Sequence, residues 1–343
     1  MASINGNSWK RIKEDISNGN IANFYVFYGE ERYLLNFYKN EIVKSIVDES
    51  MREFNLIEFS GKVSINDLVE AVDSYPVMSE KKLVIISDFD VFKADDEFKK
   101  RFIEILSDMP EYCILLMIYP AEFKPDKRQK LYSAMSKAGC ILDFERAGRS
   151  DLIAWIKRRF KAQGKQIDSE QCEYLIFYCG SLMQALIPEI EKIAAYSGNE
   201  NITRADIDAV ATPNAEAVVF DLTDAIVARK YVEAIEILEK LMTLGEEPIS
   251  LLALIGRQMR QIYAACLLRG NGGIAQLMNM WNMKSEYPAK IIFNASRGVS
   301  LTWARNSVVL CAEADNKLKL GAKDEILREL IAKLASFTGD DND

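Results

Sequence analysis

Apolar residues in the first part of the chain follow two patterns that alternate. Short continuous runs at Phe24–Tyr28 (FYVFY), Phe54–Phe59 (FNLIEF), Leu83–Ser87 (LVIIS), Tyr112–Tyr119 (YCILLMIY) and Cys140–Phe144 (CILDF) read as strands. The runs at 83–87 and 112–119 lack any polar alternation, as strands covered on both faces of a parallel sheet do. Between the runs lie segments of helical spacing. Trp9, Ile12 and Ile16 share one face, and Tyr33–Val47 repeats apolar residues at 34, 35, 38, 42, 43 and 46. Ser64 opens a helix over Ile65–Val72 as its N-cap, with Asp67 as an acidic variant of the capping box. Asp96–Leu106 and Asp126–Ala138 are further helices, the last closed by Gly139 as its C′ residue. Five strands alternating with helices predict an α/β domain with a five-stranded, mainly parallel sheet.

After Ala147-Gly148 the strand pattern stops. Ser150 caps a helix over Asp151–Ala162, and Asp168–Tyr178, Leu182–Ser197 and Arg204–Ala211 continue a small helical module. Thr212-Pro213-Asn214 marks a boundary. Beyond it only helical periodicity remains, over about 218–228, 230–244, 249–268, 273–281, 286–295, 300–318 and 323–336. The expected domains are therefore 1–146 (α/β), 147–212 (helical module) and 213–338 (all-α), with a polar, disordered tail at Gly339–Asp343.

Composition narrows the function. Of 343 residues, 49% are hydrophobic and 27% charged, ordinary for a globular chain. No apolar run reaches the ~20 residues of a membrane span, and the opening MASINGNSWKRIKEDI has no apolar leader core. A cytoplasmic location is expected. The absence of histidine removes histidine-based nucleophilic schemes and histidine metal sites. None of the six cysteines forms a CxxC pair, so they read as buried thiols of a reducing compartment. A net charge of −8 argues against a surface that grips nucleic acid all over, but leaves room for a local basic face.

The turn after Phe24–Tyr28 is where a phosphate loop would sit. Such a loop needs glycine-freed N–H groups, then a Lys and a Ser/Thr. Here Gly29 is followed by Glu30 and Glu31, which suit the helix dipole but repel a triphosphate. Gly61-Lys62 and Gly164-Lys165 lack the rest of the phosphate-loop pattern. Asp88 and Asp90 end a strand as Mg²⁺-binding acids do, but without a phosphate loop they read as solvated acids. Tyr75-Pro76-Val77-Met78 is an apolar turn where a polar one is usual, either a local staple or a plug for a partner's pocket. Arg146, Arg149, Lys157, Arg158, Arg159, Lys161 and Lys165 form a basic run, either a solvated helix face or a contact to DNA phosphates. Leu277–Met283, rich in methionine, reads as adaptable core packing. No acid, base and nucleophile come together as a catalytic set.

Four stretches in order resemble the delta subunit family of bacterial DNA polymerase III over essentially the whole chain. They are Tyr25–Leu35 (YVFYGEERYLL), Tyr75–Ile86 (YPVMSEKKLVII), Gly180–Tyr196 (GSLMQALIPEIEKIAAY) and Ala314–Lys319 (ADNKLK). The resemblance implies an ATPase-like (AAA+) N-terminal domain without a working nucleotide site, followed by a helical lid and an all-α collar. It implies a clamp loader subunit that opens the β sliding clamp for placement on primed DNA. Other subunits would hydrolyse the ATP, and gamma/tau and delta prime are the expected partners through the C-terminal domain. No catalytic residue, cofactor or metal is expected. In that family the clamp contact is an apolar pair at the tip before the third strand, which falls on Val77 and Met78 here, beside Tyr75 and Pro76. The family often carries Leu-Phe or Phe-Phe at this pair. Met183 and Gln184 stand where active ATPases carry a sensor arginine. Arg149, Lys157, Arg158 and Lys161 are the possible DNA contacts. The alternatives are an active AAA+ ATPase of DNA replication, against which the missing phosphate-loop lysine counts, and a DNA-binding helical protein using the basic run.

Overall fold

Five strands, β1 (Phe24–Tyr28), β2 (Leu56–Ser60), β3 (Lys82–Ser87), β4 (Cys113–Ile118) and β5 (Cys140–Asp143), form one sheet in the order β2-β3-β4-β1-β5. Every pairing is parallel, with Val26 opposite Met117 on one side and Ile141 on the other. This computed structural model describes residues 8–269, 273–321 and 325–336. The tail at 339–343 and positions 323–324 of the last expected helix lie outside them.

The unalternated runs are explained by two apolar layers. On one face Phe24, Val26, Val84, Ile86, Leu115 and Met117 pack with Leu68, Phe102 and Met135. On the other, Tyr25, Phe27, Leu83, Ile85, Ile114 and Leu116 pack with Ile12, Leu35 and Ile42. The helices that supply these layers are α1 (Ser8–Ser17), α2 (Arg32–Ile46), α4 (Ile65–Asp73), α5 (Asp96–Ser107) and α6 (Lys130–Ala138), while a single turn, α3 (Arg52–Asn55), leads into β2. The expected α/β class is thus the observed one.

Several boundaries differ from expectation. Phe54 and Asn55 belong to α3, and β2 starts at Leu56, because Asn55 turns its buried side chain to a neighbouring loop. Helix α6 begins at Lys130, since Asp126 bonds the N–H of Arg128 in a turn of its own. Gly139 is extended, with φ −174°, and is not a left-handed cap. Glycine is needed there for closeness: a Cβ would lie 2.0 Å from the Phe24 carbonyl oxygen. Ser64 does cap α4 through the Asp67 N–H, while a complete reciprocal box appears at Thr203 and Asp206.

The chain divides into two compact units, one of residues 1–147 with 182–184, the other of 148–181 and 185–343. In the second unit the helices are α7 (Arg149–Ala162), α8 (Ser169–Cys179), α9 (Met183–Tyr196, whose first two residues belong to the first unit), α10 (Arg204–Val210), α11 (Ala215–Val227), α12 (Tyr231–Thr243), α13 (Pro248–Leu267), α14 (Gly273–Met280), α15 (Glu286–Ser296), α16 (Leu301–Lys319) and α17 (Glu325–Ser336). Gly148, not Ser150, stands at the N-cap of α7. Helix α13 runs through the middle of the core, packed by α11, α15 and α16. Helix α8 packs on α11 and α15, so helices from either side of the Thr212-Pro213-Asn214 boundary share this unit. Of the methionine-rich stretch, Leu277 is buried, Met278 and Met283 pack on the core, and Met280 is exposed.

Candidate functional site

Among the described residues of the first unit, the two most exposed large apolar side chains lie in the segment joining α4 to β3. Met78 is 86% exposed, Tyr75 80% and Val77 41%, with Pro76 half-buried. The four predicted residues are therefore gathered at one tip, and it stands out from the surface. Tyr75 and Met78 are mostly exposed, unlike side chains folded back over a helix end, and the Tyr75 ring lies against Tyr112, centroids 4.9 Å apart. Met78 adopts φ +50°, a left-handed conformation that costs a non-glycine residue about 1 kcal/mol or more.

Two side chains that the sequence reading did not single out hold this tip. Asn55 is fully buried. Its Oδ1 accepts the Val77 N–H at 2.8 Å, and its Nδ2 donates to the Val77 carbonyl at 2.9 Å and to Ser79 Oγ at 3.0 Å. Lys82, 1% exposed, donates through Nζ to the Ser74 carbonyl and, at 2.7 Å, to Ser74 Oγ. Burial lowers the Lys82 pKa from its ordinary value. Tyr112 closes the base by donating its hydroxyl to the Asp73 carbonyl at 2.8 Å. The one sequence signal for Asn55 was a poor strand former inside an otherwise strand-like run. Lys82 gave none, since Lys81-Lys82 before an apolar strand reads as surface charge.

The loop between β1 and α2 is built differently from a phosphate cradle. Gly29 takes φ +124°, and a Cβ there would lie 2.5 Å from the Phe144 carbonyl oxygen. The same carbonyl accepts the Glu31 N–H at 2.8 Å. Glu30 points outward and pairs with Arg146. Glu31 is fully buried at the N-terminus of α2, where its Oε2 accepts the Met183 N–H at 3.3 Å and its Oε1 has no partner among the described residues. Burial raises its pKa, against the opposing pull of the Met183 N–H. Glu31 is thus the N-cap residue of α2, an end of the helix whose dipole favours negative charge, with its carboxylate turned to the Met183 N–H. Asp88 is exposed, and Asp90 caps the Phe92 N–H. Among the described residues no cluster of acids and cysteines could hold a metal ion.

The basic run is divided in its roles. Arg149 is bound to Glu173 and, at 3.1 Å, to Ser285 Oγ. Burial works against ionisation of Glu173, yet the Arg149 and Ser285 bonds hold its carboxyl below the usual range. Lys157 donates to Ser169 Oγ, Lys165 to the carbonyls of Ser197 and Asn199, and Arg159 lies over Trp155. Arg158 and Lys161 are exposed.

Comparison with known proteins places these features in a family. The model of the DNA polymerase III delta subunit matches residues 25–145, and a second model, for the C-terminal domain of that delta subunit, matches residues 216–333. The chain is 28% identical over 336 residues to the DNA polymerase III subunit delta of Bacillus subtilis, covering 94% of both. It is 22% identical over 257 residues to a probable DNA polymerase III subunit delta of Aquifex aeolicus, covering 72% of both. Among solved structures, the DNA clamp loader delta protein of Bacillus subtilis superposes with a TM-score of 0.53 at 23% identity, over 96% of this chain and 100% of that one, a likeness of fold.

Proposed function

As a member of the DNA polymerase III delta subunit family, this chain is, we propose, the clamp loader subunit that binds the β sliding clamp and opens it for placement on primed DNA, without hydrolysing ATP itself. The observation that carries the reading is the exposed apolar tip, Tyr75 to Met78, mounted on a hydrogen-bonded base. Such a tip suits insertion into a hydrophobic pocket of a partner. A subunit that binds best to a distorted clamp monomer shifts the closed ring toward opening by that difference in affinity, with no fuel of its own. Fuel then enters through partner subunits, whose nucleotide state controls access to the tip; gamma/tau and delta prime join through the C-terminal helices. Glu30 and Glu31 at the mouth of α2 support a chain that is not itself an enzyme. Primed DNA would meet Arg158 and Lys161 inside the complex, in the cytoplasm. No helix among the described residues is long and apolar enough to cross a membrane.

The test is binding of the purified chain to the β clamp, wild type against Val77→Ser/Met78→Ser. Removing two apolar anchors, each worth about 1–2 kcal/mol, is expected to cost about 30-fold or more in affinity with the fold intact. A folded wild-type chain that does not bind the clamp would overturn the assignment of this role.

A further inference from the structure

The tip is more than an exposed loop, because its backbone is tied down at both ends by side chains that lie beneath it. Asn55 reaches from α3, 22 residues earlier in sequence, and satisfies both backbone groups of Val77. A neighbouring strand would do the same for a residue in a ladder. The amide also donates to Ser79 Oγ, so both of its functional ends are used. On the other side, Lys82 gathers the carbonyl and hydroxyl of Ser74, the residue that ends α4. A lysine with 1% exposure is expensive to bury, and here its ammonium is spent on the tip's entrance, not on a carboxylate. Between these two ties lie Tyr75, Pro76, Val77 and Met78. Proline fixes one φ, and Met78 stands in the left-handed region with its side chain exposed.

We infer that Asn55 and Lys82 are positioning residues for clamp docking. They keep residues 75–78 as a preformed wedge that presents Tyr75 and Met78 as its two protruding side chains. The inference rests on the clamp-contact reading above. Its physical content is preorganisation: the ordering cost of the tip, about 1–2 kcal/mol per residue, is met in folding and not on docking. Val77 is pinned through its peptide and presents its own apolar side chain between Tyr75 and Met78, which protrude furthest.

Two measurements test it together. The first is amide hydrogen exchange in the free chain, where the Val77 N–H is expected to be protected in the wild type and to exchange at least about 10-fold faster in Asn55→Ala. The second is a double-mutant cycle on clamp affinity with Asn55→Ala and Met78→Ala. Asn55→Ala alone is expected to weaken binding about 10-fold, and to lose most of that effect when Met78 is already alanine. Lys82→Met, which keeps the stem and loses the ammonium, guards against a variant that merely fails to fold. It is expected to fall between wild type and Asn55→Ala. An unprotected Val77 amide in the wild type overturns the preformed wedge. So does an Asn55→Ala chain that exchanges fast yet binds as wild type, or a penalty equal in both Met78 backgrounds. A wild type with a protected Val77 that does not bind the clamp would instead sink the clamp reading and leave the rigid tip standing.

Discussion

Glu31 is a carboxylate with no exposed surface and one unanswered oxygen. Its pKa in the folded chain is raised by burial, so the stability it contributes is complete below the unfolded pKa and is lost as pH rises through the folded one. At pH 8 the charged form is a burden on the fold. Glu31→Gln should therefore raise stability by about 1 kcal/mol at pH 8, with the gain shrinking toward pH 4, as read by thermal melts across that range. A gain of the same size at both ends would remove the titration from the account. The thiols behave alike for a related reason. All six are buried; burial pushes Cys113 up to about 11 and Cys172, Cys179 and Cys311 up to about 12. A disulfide reagent at pH 8 should find no fast-reacting thiol in the native chain and all six in denaturant.

Among elements, β5 is held where two glycines let backbones meet. Gly139 passes close to the Phe24 carbonyl and Gly29 close to that of Phe144, so alanine at either position must push β1 and β5 apart. Each substitution should cost about 3 kcal/mol or more in chemical denaturation, well above the cost of Gly198→Ala, where a Cβ meets nothing within 4 Å. In α7, Arg149→Ala leaves Glu173 half-buried without its cation and should cost about 2–3 kcal/mol, whereas Arg158→Ala and Lys161→Ala should each stay within about 0.5 kcal/mol. The strands and helices were legible because their apolar periods are long and unbroken: β3 and β4 sit under two layers, as their unalternated runs required. Boundaries were less legible where a single side chain decides them. Asn55 ends a helical turn by bonding Val77, and no local pattern announces a partner so far along the chain. The same holds for Lys82, whose burial depends on Ser74 folding back over it. The tip itself was visible as an apolar anomaly, but its exposure was not, since sequence does not say which way a turn faces.

At the scale of the whole molecule, the net charge of −8 sets a limit on what the isolated chain does with DNA. Arg158 and Lys161 are expected to neutralise two phosphates between them, so Arg158→Glu/Lys161→Glu should flatten the slope of log affinity against log salt by about 2 in the assembled loader. An unchanged slope would assign both to solvent. The loop after β1 has a longer reach. Its glycine lies against the Phe144 carbonyl, and beside it the same carbonyl accepts the N–H of the buried Glu31. A side chain at position 29 would meet that carbonyl, so the backbone path of this loop is fixed by the end of β5 as much as by its own residues, and substitutions at positions 30 and 31 alone would leave that path unchanged.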